Sequence, residues 1–280
     1  MLGRAVFQKS GLLSTLLKAN LSTTTIVNKN VAVVLSGCGV YDGTEVHEAA
    51  ACLAALTRAG LEPVIYAPDK LQAHVIDHQS GSQMDQERNV LNESARIARG
   101  PVEPLTQLKA DSADALVVPG GFGAAKNLSD FGFKGAEMQV DPEVQRILQD
   151  FHGAGKPIGI LTEKIFHFLR KVRLLEYVML MRFLIAMCCI APIIAAKVFG
   201  DQGVNLTLGK SGDESQWPYG GSLEAAASFG ASVNPKEVSE VCVDSKMKIV
   251  TSPAYMYNGK FHEIQDGVTK MITELIKLMK

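Results

Sequence analysis

Two apolar runs joined by a glycine-rich turn and one helix constrain this chain more than any other feature. Val31-Ala-Val-Val-Leu35 is continuous, apolar and mostly β-branched, the pattern of a strand buried on both faces. It runs into Ser36-Gly37-Cys38-Gly39 and then Tyr41-Asp42-Gly43-Thr44. Thr44 is expected to cap a helix that carries Glu45, His47 and Glu48 in its opening turn and stops at Gly60. Glu62-Pro-Val-Ile-Tyr-Ala67 supplies the next strand. Strand, turn, helix and strand make a parallel βαβ unit. Functional groups in such sheets gather at the carboxyl ends of the strands, which places Gly37, Cys38, Glu45 and Glu48 together. Ser-Gly-Cys-Gly lacks the third glycine of a dinucleotide fingerprint.

The rest of the chain repeats the theme. Ala115-Leu-Val-Val118 reads as another buried strand, ending in Pro119-Gly120-Gly121. A Gly-Gly turn there can aim backbone N–H groups at a developing oxyanion, or simply make a tight turn. A helix-like stretch starts at Ala124, and 89–98 and 142–152 read as helices. Residues 69–104 are otherwise polar. His74 and His78 lie four apart, but no third ligand follows at zinc spacing, so they read as loop histidines. Further on come a strand at 204–208 and a polar loop at 209–221 holding Trp217. A short helix at 223–229, an edge hairpin at 241–243 and 248–251, and an amphipathic helix at 264–279 follow. No repeat or linker interrupts the pattern. One α/β domain over 31–280 is expected, a mainly parallel sheet covered by helices on both faces.

The cysteine pair is the chemical focus. Lys156-Pro-Ile-Gly-Ile160 reads as a strand. Cys188-Cys189-Ile-Ala-Pro192 and the apolar run to Val198 read as a sharp turn and a helix. A strand-to-helix corner of this kind can perch a nucleophile over a helix N-terminus, which lowers a thiol's pKa from about 8.5. Free cysteine also serves as a small buried hydrophobe. Between strand and turn lie residues 161–187, rich in Leu, Ile, Phe, Met, Arg and Lys and free of Gly and Pro. They read as an amphipathic helix inserted at that point. The uncharged run 183–196 is shorter than the roughly 20 residues that cross a bilayer.

Composition narrows the function classes. A formal net charge of −1 gives no electrostatic case for nucleic acid or an anionic membrane. The five cysteines include no CxxC, against a disulfide framework or a zinc ribbon and in favour of a reducing compartment. Residues 1–30 carry Arg4, Lys9, Lys18 and Lys29 among Ser, Thr and Leu, and the first acid is Asp42. That is the composition of a mitochondrial transit peptide, so the matrix is the expected location.

Several segments together carry a resemblance. They are Leu35-Ser-Gly-Cys-Gly-Val-Tyr-Asp-Gly43 with Glu45 and His47-Glu48, Arg88-Asn-Val-Leu91 with Glu93-Ser-Ala-Arg-Ile-Ala-Arg-Gly100, and Pro119-Gly-Gly-Phe-Gly-Ala-Ala-Lys-Asn-Leu128. Gly155-Lys-Pro-Ile-Gly159, Cys189-Ile-Ala-Pro192 and Thr251-Ser-Pro-Ala254 complete the set. Over about 31–280, apart from 161–187, the chain resembles the mitochondrial glutamine amidotransferase-like class I domain proteins and the bacterial enhancing-lycopene-biosynthesis glyoxalases. Both belong to the PfpI/Parkinsonism-associated deglycase superfamily. The resemblance implies a flavodoxin-like three-layer sandwich with Cys189 at the elbow. It also implies Glu45 or Glu48 beside the sulfur, and Gly120 and Gly121 at an oxyanion site. It further implies a homodimer.

One departure matters. Amidotransferases and PfpI-type hydrolases place a histidine after the cysteine, and Ile190 stands there. A Cys–His hydrolase and glutamine hydrolysis are therefore not expected. Cysteine with a carboxylate fits cofactor-free, metal-free glyoxalase chemistry on small aldehydes such as glyoxal, a lyase reaction, with the relatives' activity as its model. The alternatives are a non-catalytic redox sensor or chaperone-like module, and a form inactivated because 161–187 tears the elbow from its strand.

Overall fold

The computed structural model describes residues 29–153 and 184–279. Expectations that fall on 1–28 and 154–183, including the presequence, the strand at 156–160 and most of the inserted segment, lie outside the described residues.

The opening unit is β1 (Asn30–Val34), α1 (Val46–Arg58) and β2 (Glu62–Ala67). β1 and β2 pair in parallel, Val31 opposite Pro63 and Val33 opposite Ile65. Val31, Ala32 and Val33 are wholly buried, as a doubly covered strand requires. The helix cap differs from expectation. Glu45, not Thr44, is the N-cap, and its side chain accepts the Glu48 N–H. Thr44 is instead tied back across the turn, its Oγ1 accepting the Ser36 N–H at 2.7 Å.

α2 (Val90–Ala98), capped by Asn89, precedes the short edge strand β3 (Glu103–Pro104). β4 (Ala115–Val118) is followed by α3 (Phe122–Lys126), α4 (Phe131–Lys134) and α5 (Pro142–Gly153). Then come β5 (Leu184–Cys188) and α6 (Pro192–Phe199). β6 (Asn205–Leu206), α7 (Gly221–Ser228), β7 (Ser232–Val233), the hairpin β8 (Cys242–Asp244) and β9 (Ile249–Ser252), and α8 (Phe261–Leu278) complete the described chain.

The main sheet has the order β3-β2-β1-β4-β5-β9-β8. Every pairing is parallel except β8 with β9. α8 packs on α1, β9 and β5, while α5 packs on β5 and α6. Helices thus cover both faces, the flavodoxin-like arrangement. β6 and β7 pair with each other in a separate two-stranded sheet, so the strand read at 204–208 does not join the main one.

β5 corrects the reading of the cysteine corner. The strand that leads into it is Leu184-Ile-Ala-Met-Cys188, although the sequence pattern predicts its first four residues as the end of an inserted helix. Leu184 pairs with Ala115, and Ile185 with Ile249. All five residues are buried. An apolar run with β4 on one side and β9 on the other satisfies its backbone in the sheet, and this overrides the helical preference of Leu and Met. The elbow is therefore not torn from a strand.

Candidate active site

The carboxyl ends of β1, β4, β5 and β9 converge on Cys189. β5 ends at Cys188, and α6 starts at Pro192, whose fixed φ suits the first turn of a helix. Cys189 sits between them with φ of 58°, a left-handed conformation that costs a non-glycine residue about 1–3 kcal/mol. The sheet holds it there. Its N–H donates to Ser252 O at 3.1 Å, and the Ala191 N–H donates to Cys188 O at 3.1 Å. Only 7% of Cys189 is exposed.

The tandem cysteines part ways at this corner. Cys188 is fully buried and faces inward, toward Cys52 and Glu48, its Sγ 3.7 Å from Glu48 Oε2. Cys189 lines a cavity.

Glu48 is the acid beside the sulfur. It lies in the first turn of α1 and is wholly buried. Gly120 N–H donates to its Oε2 at 3.0 Å, and Tyr255 N–H donates to its Oε1 at 3.1 Å. It also shares a hydrogen bond with the Cys189 side chain. Burial, helped by the nearby charge of Glu45, pushes the Glu48 carboxyl up to about 8. Its N–H and thiol partners offset only part of that. Glu48 is thus mostly protonated at neutral pH.

Glu45 plays a different part. Its Oε2 accepts the Glu48 N–H at 2.7 Å, and its Oε1 meets His47 Nδ1 at 2.8 Å. It caps α1 and lines the cavity. The two carboxylates left open by the sequence are separated by helical position. The capping residue turns back on its own helix, and the residue three later faces the sheet.

The two glycines divide as well. A Cβ on Gly120 would stand 2.4 Å from Cys189 Cβ and 2.7 Å from Glu48 Oε2. Only glycine lets Cys189 and Glu48 approach each other at this point. The Gly120 N–H, expected to face an oxyanion, is engaged by Glu48 instead. The N–H groups of Gly121 and Ile190 are the ones directed at the Cys189 sulfur.

The resting thiol also departs from expectation. A helix N-terminus predicts a depressed pKa. The structure raises it, because burial and the charge of Glu48 outweigh the Gly121 and Ile190 N–H groups.

Two residues with no role in the sequence reading stand at the site. His47 lies at the cavity mouth against Phe261, ring centroids 4.5 Å apart. Tyr255 follows the Thr-Ser-Pro-Ala segment after β9. Burial and the charges of Glu45, Glu48 and Cys189 push its phenol up to about 12. Its buried hydroxyl has no hydrogen-bond partner among the described residues. Position after a strand end was the only signal that could have found it.

Other candidates fall elsewhere. Gly37 N–H donates to Ser94 Oγ, and Cys38 bridges to Thr44; neither lines the cavity. His78 is held by loop backbone, with Nε2 accepting the Tyr41 N–H at 3.2 Å and Nδ1 3.0 Å from Ile76 O. His74 packs on Phe133.

No protein-family model matches the chain. Curated relatives do. The chain is 48% identical over 250 residues to the mitochondrial ES1 protein homolog of Rattus norvegicus, covering 89% of this chain and 83% of that protein. It is also 48% identical over 250 residues to the mitochondrial glutamine amidotransferase-like class 1 domain-containing protein 3 of Homo sapiens, covering 82% of that protein. The chain belongs to the mitochondrial ES1 family. The ES1 protein of Danio rerio, 34% identical over 262 residues, is likewise named mitochondrial. This ES1-family chain is a mitochondrial protein. No helix among its described residues is long and apolar enough to cross a membrane. Among solved structures, an isoprenoid biosynthesis protein with an amidotransferase-like domain from Ehrlichia chaffeensis superposes with a TM-score of 0.72. It is 28% identical, covering 90% of this chain and 100% of that one.

Proposed function

We propose that this ES1-family protein is a cofactor-free glyoxalase-type lyase that converts small reactive aldehydes, glyoxal among them, into hydroxy acids. The observation that carries the reading is the set of partners around the Cys189 sulfur. They are the Glu48 carboxyl and the N–H groups of Gly121 and Ile190, with no imidazole beside the sulfur among the described residues. A Cys–His pair activates a thiol for amide hydrolysis. A thiol beside a buried carboxyl suits addition to an aldehyde followed by proton shuttling.

The steps balance internally. Cys189 Sγ bonds to the aldehyde carbon, and the carbonyl π pair moves onto oxygen. Glu48, in its carboxylate form, takes the thiol proton and delivers it to that oxygen, giving a hemithioacetal. The Gly121 and Ile190 N–H groups, already aimed at the sulfur, lie beside the developing charge. Glu48 then moves the C–H proton of this carbon to the neighbouring carbonyl oxygen, giving an enediol. Transfer of the first hydroxyl's proton to the neighbouring carbon yields a thioester. The first carbon is oxidised and the second reduced, so no outside electron acceptor takes part. Water cleaves the thioester, releases the hydroxy acid and restores the thiol.

The redox-sensor alternative fits less well. Sensor cysteines are accessible and have lowered pKa values, whereas Cys189 is nearly buried and raised. The test is glycolate formation from glyoxal by the full chain and by Cys189→Ser. Loss of turnover in the variant supports the proposal, and unchanged turnover overturns it.

A further inference from the structure

The cavity that Cys189 opens into does not match glyoxal in size or chemistry. Its volume is about 570 Å³. A four-heavy-atom aldehyde occupies roughly 100 Å³, scaling from the ~30 Å³ that one water takes up in the liquid. Cavities of several hundred Å³ suit larger, ring-bearing ligands. The walls are apolar and aromatic. Tyr41, Phe122, Tyr219 and Phe261 line them, with Ile190 next to the nucleophile.

The rings are arranged to receive another ring. Phe122 and Tyr219 stand nearly edge to face, centroids 6.1 Å apart at 78°. Tyr41 lies 6.4 Å from Phe122 on a tilted plane. Edge-to-face and tilted neighbours leave π faces and edges open to a further aromatic group. The side chains of Tyr41 and Tyr219 are substantially exposed, 42% and 41%, so the ring wall is not sealed by its own packing. Cys189, Glu45, His47, Ser222 and Asn258 add polar groups to the same lining.

We propose that the site takes α-oxoaldehydes bearing an aromatic substituent, with the dicarbonyl head at Cys189 and the ring against Phe122 and Tyr219. This rests on the glyoxalase reading and specifies its substrate class. The chemistry is the same rearrangement, in which an aryl glyoxal and water give an aryl hydroxy acid.

The experiment compares phenylglyoxal with glyoxal on the full chain. The expected result is a kcat/KM about 10- to 100-fold higher for phenylglyoxal, the effect of burying one ring. Phe122→Ala and Tyr219→Ala are expected to narrow that ratio. Neither side chain belongs to the core, and circular dichroism checks that each variant folds. A ratio at or below one in the parent chain overturns the proposal. Calorimetric binding to Cys189→Ser separates this inference from the catalytic reading. Mandelate, the phenylglyoxal product, should bind at least ten times more tightly than glycolate. If no aldehyde is turned over but mandelate is preferred, the catalytic reading fails and the aromatic site stands. If mandelate shows no preference, the aromatic site is wrong.

Discussion

At the scale of single residues, the site turns on which of two adjacent thiols meets a ligand. Cys188 and Cys52 are wholly buried, and Cys189 reaches the cavity. Iodoacetamide should therefore alkylate Cys189 in the folded protein and leave Cys188 and Cys52 unmodified, as read by peptide mass spectrometry. The rate should keep rising above pH 9, since the thiol's pKa is raised. Equal labelling of Cys188 and Cys189 would contradict the geometry. The position of Cys189 at the strand-to-helix corner was legible in the sequence through the family resemblance. The choice between Glu45 and Glu48 was not. Both lie in the opening turn, and a one-residue error in the cap exchanges their roles. The thiol's charge state was misread because a helix N-terminus is visible in a sequence while burial at the corner is not.

At the scale of elements, the elbow depends on a close approach of β4 and β5. A methyl group on Gly120 has no room, with Cys189 Cβ at 2.4 Å. Gly120→Ala should lower glycolate formation by at least ~10², the lower end of what misplaced acid–base catalysis costs. The thermal midpoint should also fall, by an overpacking penalty of about 1–3 kcal/mol. Wild-type kinetics in this variant would show that the approach is unimportant. β5 is the element the sequence placed wrongly. Two apolar stretches compete to precede Cys188, namely 157–160 and 184–187. The first carries the strand-like pattern, and the second ends a Leu- and Met-rich segment that reads as helix. Aligned on Cys188, Ile185 matches Ile158, Ala186 matches Gly159 and Met187 matches Ile160. Leu184 matches Pro157, at the first strand position, where proline is tolerated. Deletion of 161–187 should therefore rebuild β5 from the upstream residues, with isoleucine kept at the position of Ile185. A deletion variant with a cooperative melt and aldehyde turnover is the expected outcome. An aggregated or molten product would contradict it. By contrast, β1, β2, β4 and the β8–β9 hairpin were legible, since their β-branched runs are bounded by Gly, Pro or Asp and have no rival.

For the molecule as a whole, a buried acid makes stability depend on pH. Glu48 has a folded pKa of about 8 against an ordinary value of 4.5. A raised carboxyl pKa means the folded state holds its proton more tightly than the unfolded state. The associated stability is complete below about 4.5 and is lost as pH rises through about 8. It amounts to a few kcal/mol, on the order of 1.4 kcal/mol per pKa unit. The wild-type thermal midpoint should fall between pH 5 and pH 8.5, and Glu48→Gln should flatten that fall. Parallel curves for the two proteins would remove Glu48 as the cause. Keeping a destabilising carboxyl under the sheet ends is expected where activity needs it. The fold class followed from the sequence because a run of buried parallel strands admits few architectures. The cavity and its aromatic wall did not, because Tyr41, Phe122, Tyr219 and Phe261 come from four separate segments that only the tertiary fold brings together.

The central claim is that Cys189 and Glu48 act as one proton-sharing pair on an aldehyde. It is tested most directly by the pH dependence of kcat/KM for glyoxal in the wild type and in Glu48→Gln. The carboxylate form of Glu48 takes the thiol proton, so the wild-type value should rise with pH through a midpoint near pH 8 and level off only above it. Glu48→Gln should lose that rise and fall by about 10²–10⁴. A Glu48→Gln profile that keeps the wild-type rate and the same rising limb would contradict the account.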